Sequence, residues 1–131
     1  MKRYLLLACL LLLSPAQTQA SPVYLRCQIE NNSGKKFIYE IRIDPEKDKG
    51  LVSQTLADGS MVTKEHKQFI TDSLYTLKST LANNYKTEIT TYSINRATGR
   101  ISRTWASTFN KQQSATHYGT CKRSEPVTTL F

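Results

Sequence analysis

The residues best equipped for chemistry lie in "TYSINRATGRISRTW", Thr91–Trp105, which holds Arg96, Arg100, Arg103 and the chain's single tryptophan, Trp105. Guanidinium groups beside an indole could form a basic rim with a stacking platform for an anionic or aromatic ligand. The same stretch has a plainer reading. Asn95 through Gly99, "NRATG", has the composition of a loop between strands: Asn and Gly tolerate positive φ, and Thr can hydrogen-bond its own turn. Hairpin punctuation takes precedence, because loop signals of this kind are far commoner than sites. One detail supports binding. Ile101, Arg103, Trp105 and Phe109 share a parity, so a regular strand places Arg103 on an apolar face. Such an arginine either snorkels out at the end of the sheet or sits at the mouth of a concave site.

Other constellations are weaker. Asp44, Glu46 and Asp48 alternate in "DPEKDKG" as calcium ligands do. The EF-hand pattern, however, needs glycine at its sixth position and glutamate at its twelfth, where this chain has Lys49 and Thr55. His66 and His117 are far apart and lack acidic or cysteine neighbours at ligand spacing, and Glu65 points away from His66 on a strand. No Gly-x-Ser-x-Gly elbow, phosphate loop or dinucleotide glycine pattern occurs. The chain therefore reads as non-enzymatic, with no metal or cofactor expected.

The elements that must position these residues follow a period of two. In "VYLRCQIE", Val23, Leu25, Cys27 and Ile29 share one face. In "FIYEIRI", Phe37, Tyr39, Ile41 and Ile43 do the same. "NNSGK", "DPEKDKG" and "ADGS" supply turns, and "LVSQTL" is a short strand between the last two. In "MVTKEHKQFITDSLYTLKSTLANN", Ile70, Leu74, Leu77 and Leu81 fall at helical spacing, yet threonine and aromatic content favours strands broken near Thr71 and Asp72. "YKTEITTYSI" puts Thr90, Tyr92 and Ile94 on one face, "ISRTWASTF" follows, "KQQSA" is read as a turn, and "THYGTC" ends the series. The expected fold is mainly β: a single small antiparallel meander, forming an open curved sheet or a small barrel.

The first thirteen residues, "MKRYLLLACLLLL", pair Lys2 and Arg3 with an apolar run too short to span a bilayer. Residues 1–20 are read as a signal peptide cleaved after Ala20. Cleavage after Ala16 and lipidation at Cys9 are the rival readings. The expected organisation is a β domain over 21–122 and a disordered tail over 123–131. The mature chain then keeps two cysteines, Cys27 and Cys121, and no transmembrane segment. In an oxidising compartment such a pair forms one disulfide, which would tie the first strand to the last. Removing Lys2 and Arg3 takes the formal charge from +8 to +6, a balance that suits an anionic partner if it is more than a solubility device.

"SINRATG" followed by "YGTC" resembles a group of small secreted or periplasmic proteobacterial proteins with an Ile-x-Arg-x-Thr-Gly loop and a late Gly-x-Cys. The matching positions are Ile94, Arg96, Thr98, Gly99, Gly119 and Cys121. The resemblance implies export and a β-rich fold, without an activity. Small periplasmic lysozyme inhibitors offer a second comparison by size. Their Ser-Gly-x-x-Tyr loop is absent here, since Ser33-Gly34 leads to Lys35, Lys36 and Phe37, and a basic chain would repel basic lysozyme. The expected function is a non-enzymatic binding or accessory protein of the bacterial envelope or the extracellular space. The alternatives are a basic binder of polyanions (nucleic acid or lipopolysaccharide) and a hydrolase.

Overall fold

A computed structural model describes residues 21–108 and 113–125. The signal segment, the alternative cleavage site, Cys9 and Phe109 lie outside the described residues, as does most of the expected tail. Eight strands follow one another: β1 Val23–Glu30, β2 Lys36–Ile43, β3 Lys49–Thr55, β4 Met61–Ile70, β5 Leu74–Ala82, β6 Thr87–Asn95, β7 Arg100–Ser107 and β8 Gln113–Arg123. Each pairs antiparallel with the next, and β8 returns to β1, so the sheet is a closed barrel rather than an open one. The break between β4 and β5 falls at residues 71–73, as the threonine and aromatic content predicts. Leu77 is fully buried while Leu74 is exposed, which is the period of two and not of a helix.

Three boundaries differ from the sequence reading, the first being that Lys49 and Gly50 of "DPEKDKG" already belong to β3, where they pair with Lys67 and His66. Gln113, Ser114 and Ala115 of "KQQSA" belong to β8, where they pair with Ser107, Ala106 and Trp105. A polar segment can still be a strand when its backbone groups find a ladder, and solvent-facing strand positions accept polar residues. At the other end β8 reaches Arg123, which pairs with Leu25, so the strand continues one residue beyond 122.

The turns are written in side chains. Asn31 Oδ1 accepts from the Ser33 and Lys35 amides, Asp44 Oδ1 from Glu46, Asp58 Oδ1 from Ser60, and Asn83 Oδ1 from Tyr85 and Lys86. Asn95 Oδ1 accepts from Ala97 and Thr98. These Asx turns satisfy backbone donors that would otherwise be unpaired where each strand reverses.

Inside, Leu25, Ile41, Ile43, Leu77, Ile94 and Ile101 build an apolar core toward the end of the barrel that carries the β2–β3, β4–β5 and β6–β7 turns, here the lower end. Outside, Arg26, Glu40, Arg42, Glu65, Lys67 and Lys78 occupy the alternate positions. This is the reverse of a membrane-spanning barrel, whose outward face is apolar. Gln68 is buried yet satisfied: its amide nitrogen donates to the carbonyls of Asp44 and Lys47, and its Oε1 accepts from the Asp44 amide at 3.3 Å.

The barrel closes along β1 and β8. Cys27 and Cys121 are directly opposite each other there and form the expected disulfide, with Cα atoms 4.0 Å apart. Gly119 sits beside them because nothing larger fits, since a Cβ on it would lie 1.9 Å from Gln28 O.

Candidate functional site

Alternation in β7 sends Ile101, Arg103 and Trp105 inward and leaves Arg100 exposed on the outer face. The four residues singled out in the sequence therefore do not converge. Arg96 belongs to the lower end, where its Nη1 donates to Thr71 O at 2.6 Å and its guanidinium lies 4.7 Å from the Tyr75 ring centroid. The "NRATG" loop is a turn, with Gly99 at φ 74°, its amide on Asn95 O and its carbonyl accepting from Cys121 N at 2.7 Å. The loop braces the disulfide-bearing strand. Only Arg103 and Trp105 share an interior wall.

Arg103 is the unusual residue. Its register partners are Tyr92 on β6 and His117 on β8, and its Nε donates to Tyr92 Oη at 3.2 Å. Tyr92 in turn packs edge-on against Tyr39 and His66, with ring centroids 5.5 Å apart in both cases. Burial pushes the Tyr39 phenol pKa up, with Tyr92 adding and Arg103 opposing. Both rings thus belong to one polar network at the inner wall.

His66 and Lys64 complete the wall from β4. His66 is 4% exposed, and its Nδ1 lies 3.2 Å from Lys64 O, a contact in which a carbonyl can only accept. Burial holds the His66 pKa below the usual imidazole value; the hydrogen bond to Lys64 O opposes this, while the charges of Lys64 and Arg103 add to it. The imidazole is neutral at pH 7.

These groups line a cavity of about 220 Å³ at the upper end, together with Leu56 and Val62 at its rim. None of its lining residues is Asp or Glu. Arg103, half-buried, and Lys64, exposed, thus share a partly open space whose lining holds no carboxylate. Glu88, two residues from Thr90 on the inward row of β6, stands near its mouth and is engaged by Lys86 at 2.9 Å. A half-buried guanidinium whose terminal nitrogens lack an anionic partner among the described residues presents donors that an anion can complete. Three larger depressions lack this property, the smallest of them, of about 240 Å³, being lined by Glu40 as well as Arg42. The one of about 580 Å³ beside the β2–β3 turn is laced by its own ion pairs, Arg42–Asp44 at 3.9 Å, Lys47–Asp44 at 3.7 Å and Lys49–Glu65 at 2.9 Å. The one of about 360 Å³ at the lower mouth includes Asp72, and Arg96 is already committed there.

Sequence reasoning reached Arg103 through its parity and missed Tyr39, Lys64, His66 and Tyr92 as members of the site. Tyr39 and Tyr92 read as core residues. The β4 row Val62, Lys64, His66, Gln68 gave no signal, because the opposite row, Met61, Thr63, Glu65, Lys67, is equally polar. The cavity can hold and orient an anion. Among the described residues His66 has no hydroxyl, thiol or carboxylate partner that would make a nucleophile and base.

The fold and site define a closed eight-stranded antiparallel barrel with an apolar lower core and a cationic upper chamber. No protein-family model matches the chain, and neither the curated proteins nor the solved structures hold a significant match to it.

Proposed function

We propose that this chain is an exported, non-enzymatic binding protein of the bacterial envelope or extracellular space, which takes an anionic group into the upper end of its barrel. The observation that carries the reading is Arg103: an inward guanidinium, joined by Lys64 in a cavity lined by no carboxylate. An eight-stranded barrel has just enough interior to hold side chains or one small ligand, and here a cavity of about 220 Å³ remains beside the apolar core. A disulfide across the closing seam is compatible with an oxidising compartment.

The rival polyanion reading finds less support. On the outer face Arg26 is offset by Glu40 at 3.8 Å and Arg42 by Asp44 at 3.9 Å, which interrupts any basic track there. A titration followed by nuclear magnetic resonance separates the two. Sulfate, acetate and benzoate should each shift the Arg103 Nε–H and His66 ring signals, and Arg103→Ala should abolish the shifts. Shifts confined to outward lysines and arginines, or none at all, would sink the proposal.

A further inference from the structure

The upper end of the barrel is apolar at its rim as well as cationic inside. Leu56 and Val62 line the cavity while remaining 40% and 43% exposed. Leu81 is 59% exposed and lies two residues beyond Ser79, a lining residue, on the same inward row of β5. Tyr85, in the following turn, is 83% exposed. Apolar side chains left in water together around one opening mark a surface that is covered in use.

Resting on the binding reading above, we infer that the ligand is an amphiphilic carboxylate, its head seated on Arg103 and Lys64 and its aliphatic or aromatic tail lying over Leu56, Val62 and Leu81. Three features select that class. Arg103 spends its Nε on Tyr92, and among the described residues its terminal nitrogens have no protein partner, which leaves the forked edge that matches a carboxylate. The space enclosed, about 220 Å³, falls below the roughly 300–1,000 Å³ that encloses a whole drug-sized ligand, so the head enters and the remainder stays at the mouth. Polarity also changes along the cavity, from the half-buried Arg103 guanidinium to Leu56, Val62 and Leu81 at the rim, where the Lys86–Glu88 pair stands beside Leu81. An inorganic anion would leave the rim uncovered, and a neutral lipid would leave Arg103 and Lys64 unpaired.

The test uses the mature chain with octanoate, acetate (head without tail) and 1-octanol (tail without head), followed by calorimetry and by the fluorescence of Trp105. That residue stands two positions from Arg103 on the same inward row of β7. Octanoate should bind at least about tenfold tighter than acetate, since burying two methylenes suffices for that ratio. Octanol should bind more weakly than octanoate. Arg103→Gln and Lys64→Gln should each weaken octanoate, with circular dichroism confirming the fold. Leu81→Asp, an exposed position, should weaken octanoate roughly tenfold and leave acetate unchanged. If octanoate and acetate bind equally at Arg103, the tail is wrong while the anion site stands. If octanol matches octanoate, or if no compound saturates the cavity, both this inference and the binding reading fall.

Discussion

His66 shows how one buried side chain sets the behaviour of the site. Its pKa is lowered in the fold, chiefly by burial, so the folded state resists a proton that the unfolded chain accepts near pH 6.5. The unfolded state therefore binds more protons as pH falls below about 6.5, and stability declines with it toward the folded pKa. Above that window the contribution is complete. Urea midpoints at pH 7.5 and pH 5.5 should differ more for the natural chain than for His66→Gln; equal differences would show that His66 is not the group responsible. Gly119 makes a second case. A methyl group there would meet the β1 backbone at 1.9 Å, so Gly119→Ala should destabilise by at least about 3 kcal/mol. Gly59, at φ 85° with open space around it, should lose only about 1–2 kcal/mol on the same change, through the left-handed conformation alone. Denaturant unfolding of both variants decides whether close approach or backbone conformation dominates.

At the scale of elements, the β6–β7 turn shows why a motif that looked like a site is mostly structure. Its arginine reaches across to the β4–β5 turn, and its glycine carbonyl holds the Cys121 amide. Arg96→Ala should therefore lower stability by about 1–2 kcal/mol, through the lost hydrogen bond and the lost contact with Tyr75. Retention on heparin should change no more than it does for Lys47→Ala, whose ammonium lies 3.7 Å from Asp44. A selective loss of retention in Arg96→Ala and Arg103→Ala would instead restore the basic rim. Gly99→Val should impair folding outright, since φ 74° and a Cβ placed 2.7 Å from Cys121 O both oppose it. The same turn thus supports the seam at some distance from the cavity.

For the whole molecule, closure is the property that matters. Each strand in the ring pairs on both sides, and the β1–β8 pairing brings together residues far apart in sequence, the bridged cysteines being separated by 94 positions along the chain. Forming that contact is entropically demanding, and a covalent link across so long a loop restricts the unfolded chain by about 4–5 kcal/mol in the chain-entropy account. Cys27→Ser with Cys121→Ser should lower stability by about 2–5 kcal/mol and loosen the seam first, visible as faster amide exchange in β1 and β8 than in β5 and β6. Titration of the denatured, unreduced protein should find no free thiol. If the chain is exported as proposed, intact mass should place its start at Ser21, and a diacylglyceryl mass on Cys9 would replace cleavage after Ala20 with the lipidated reading.

The strands, their turns and the disulfide were legible in the sequence because each rests on local chemistry. Alternation in β1, β2 and β6 separates an apolar face from a polar one, Asn and Asp mark most reversals, and of the three cysteines Cys27 and Cys121 lie on strands. The barrel itself was not decided there, because an open meander and a closed one share the same alternation and differ only in whether β8 meets β1. The site was hidden for a related reason. In β4 both faces are polar, so hydropathy could not say whether Lys64 and His66 or Glu65 and Lys67 point inward. Pairing with β3 and β5 chose Lys64 and His66, and closure then set them in one chamber with Arg103, Tyr39 and Tyr92. A side chain's periodicity is a local property, but which charges share an enclosed space depends on contacts between strands distant in the chain, and only the tertiary structure supplies those.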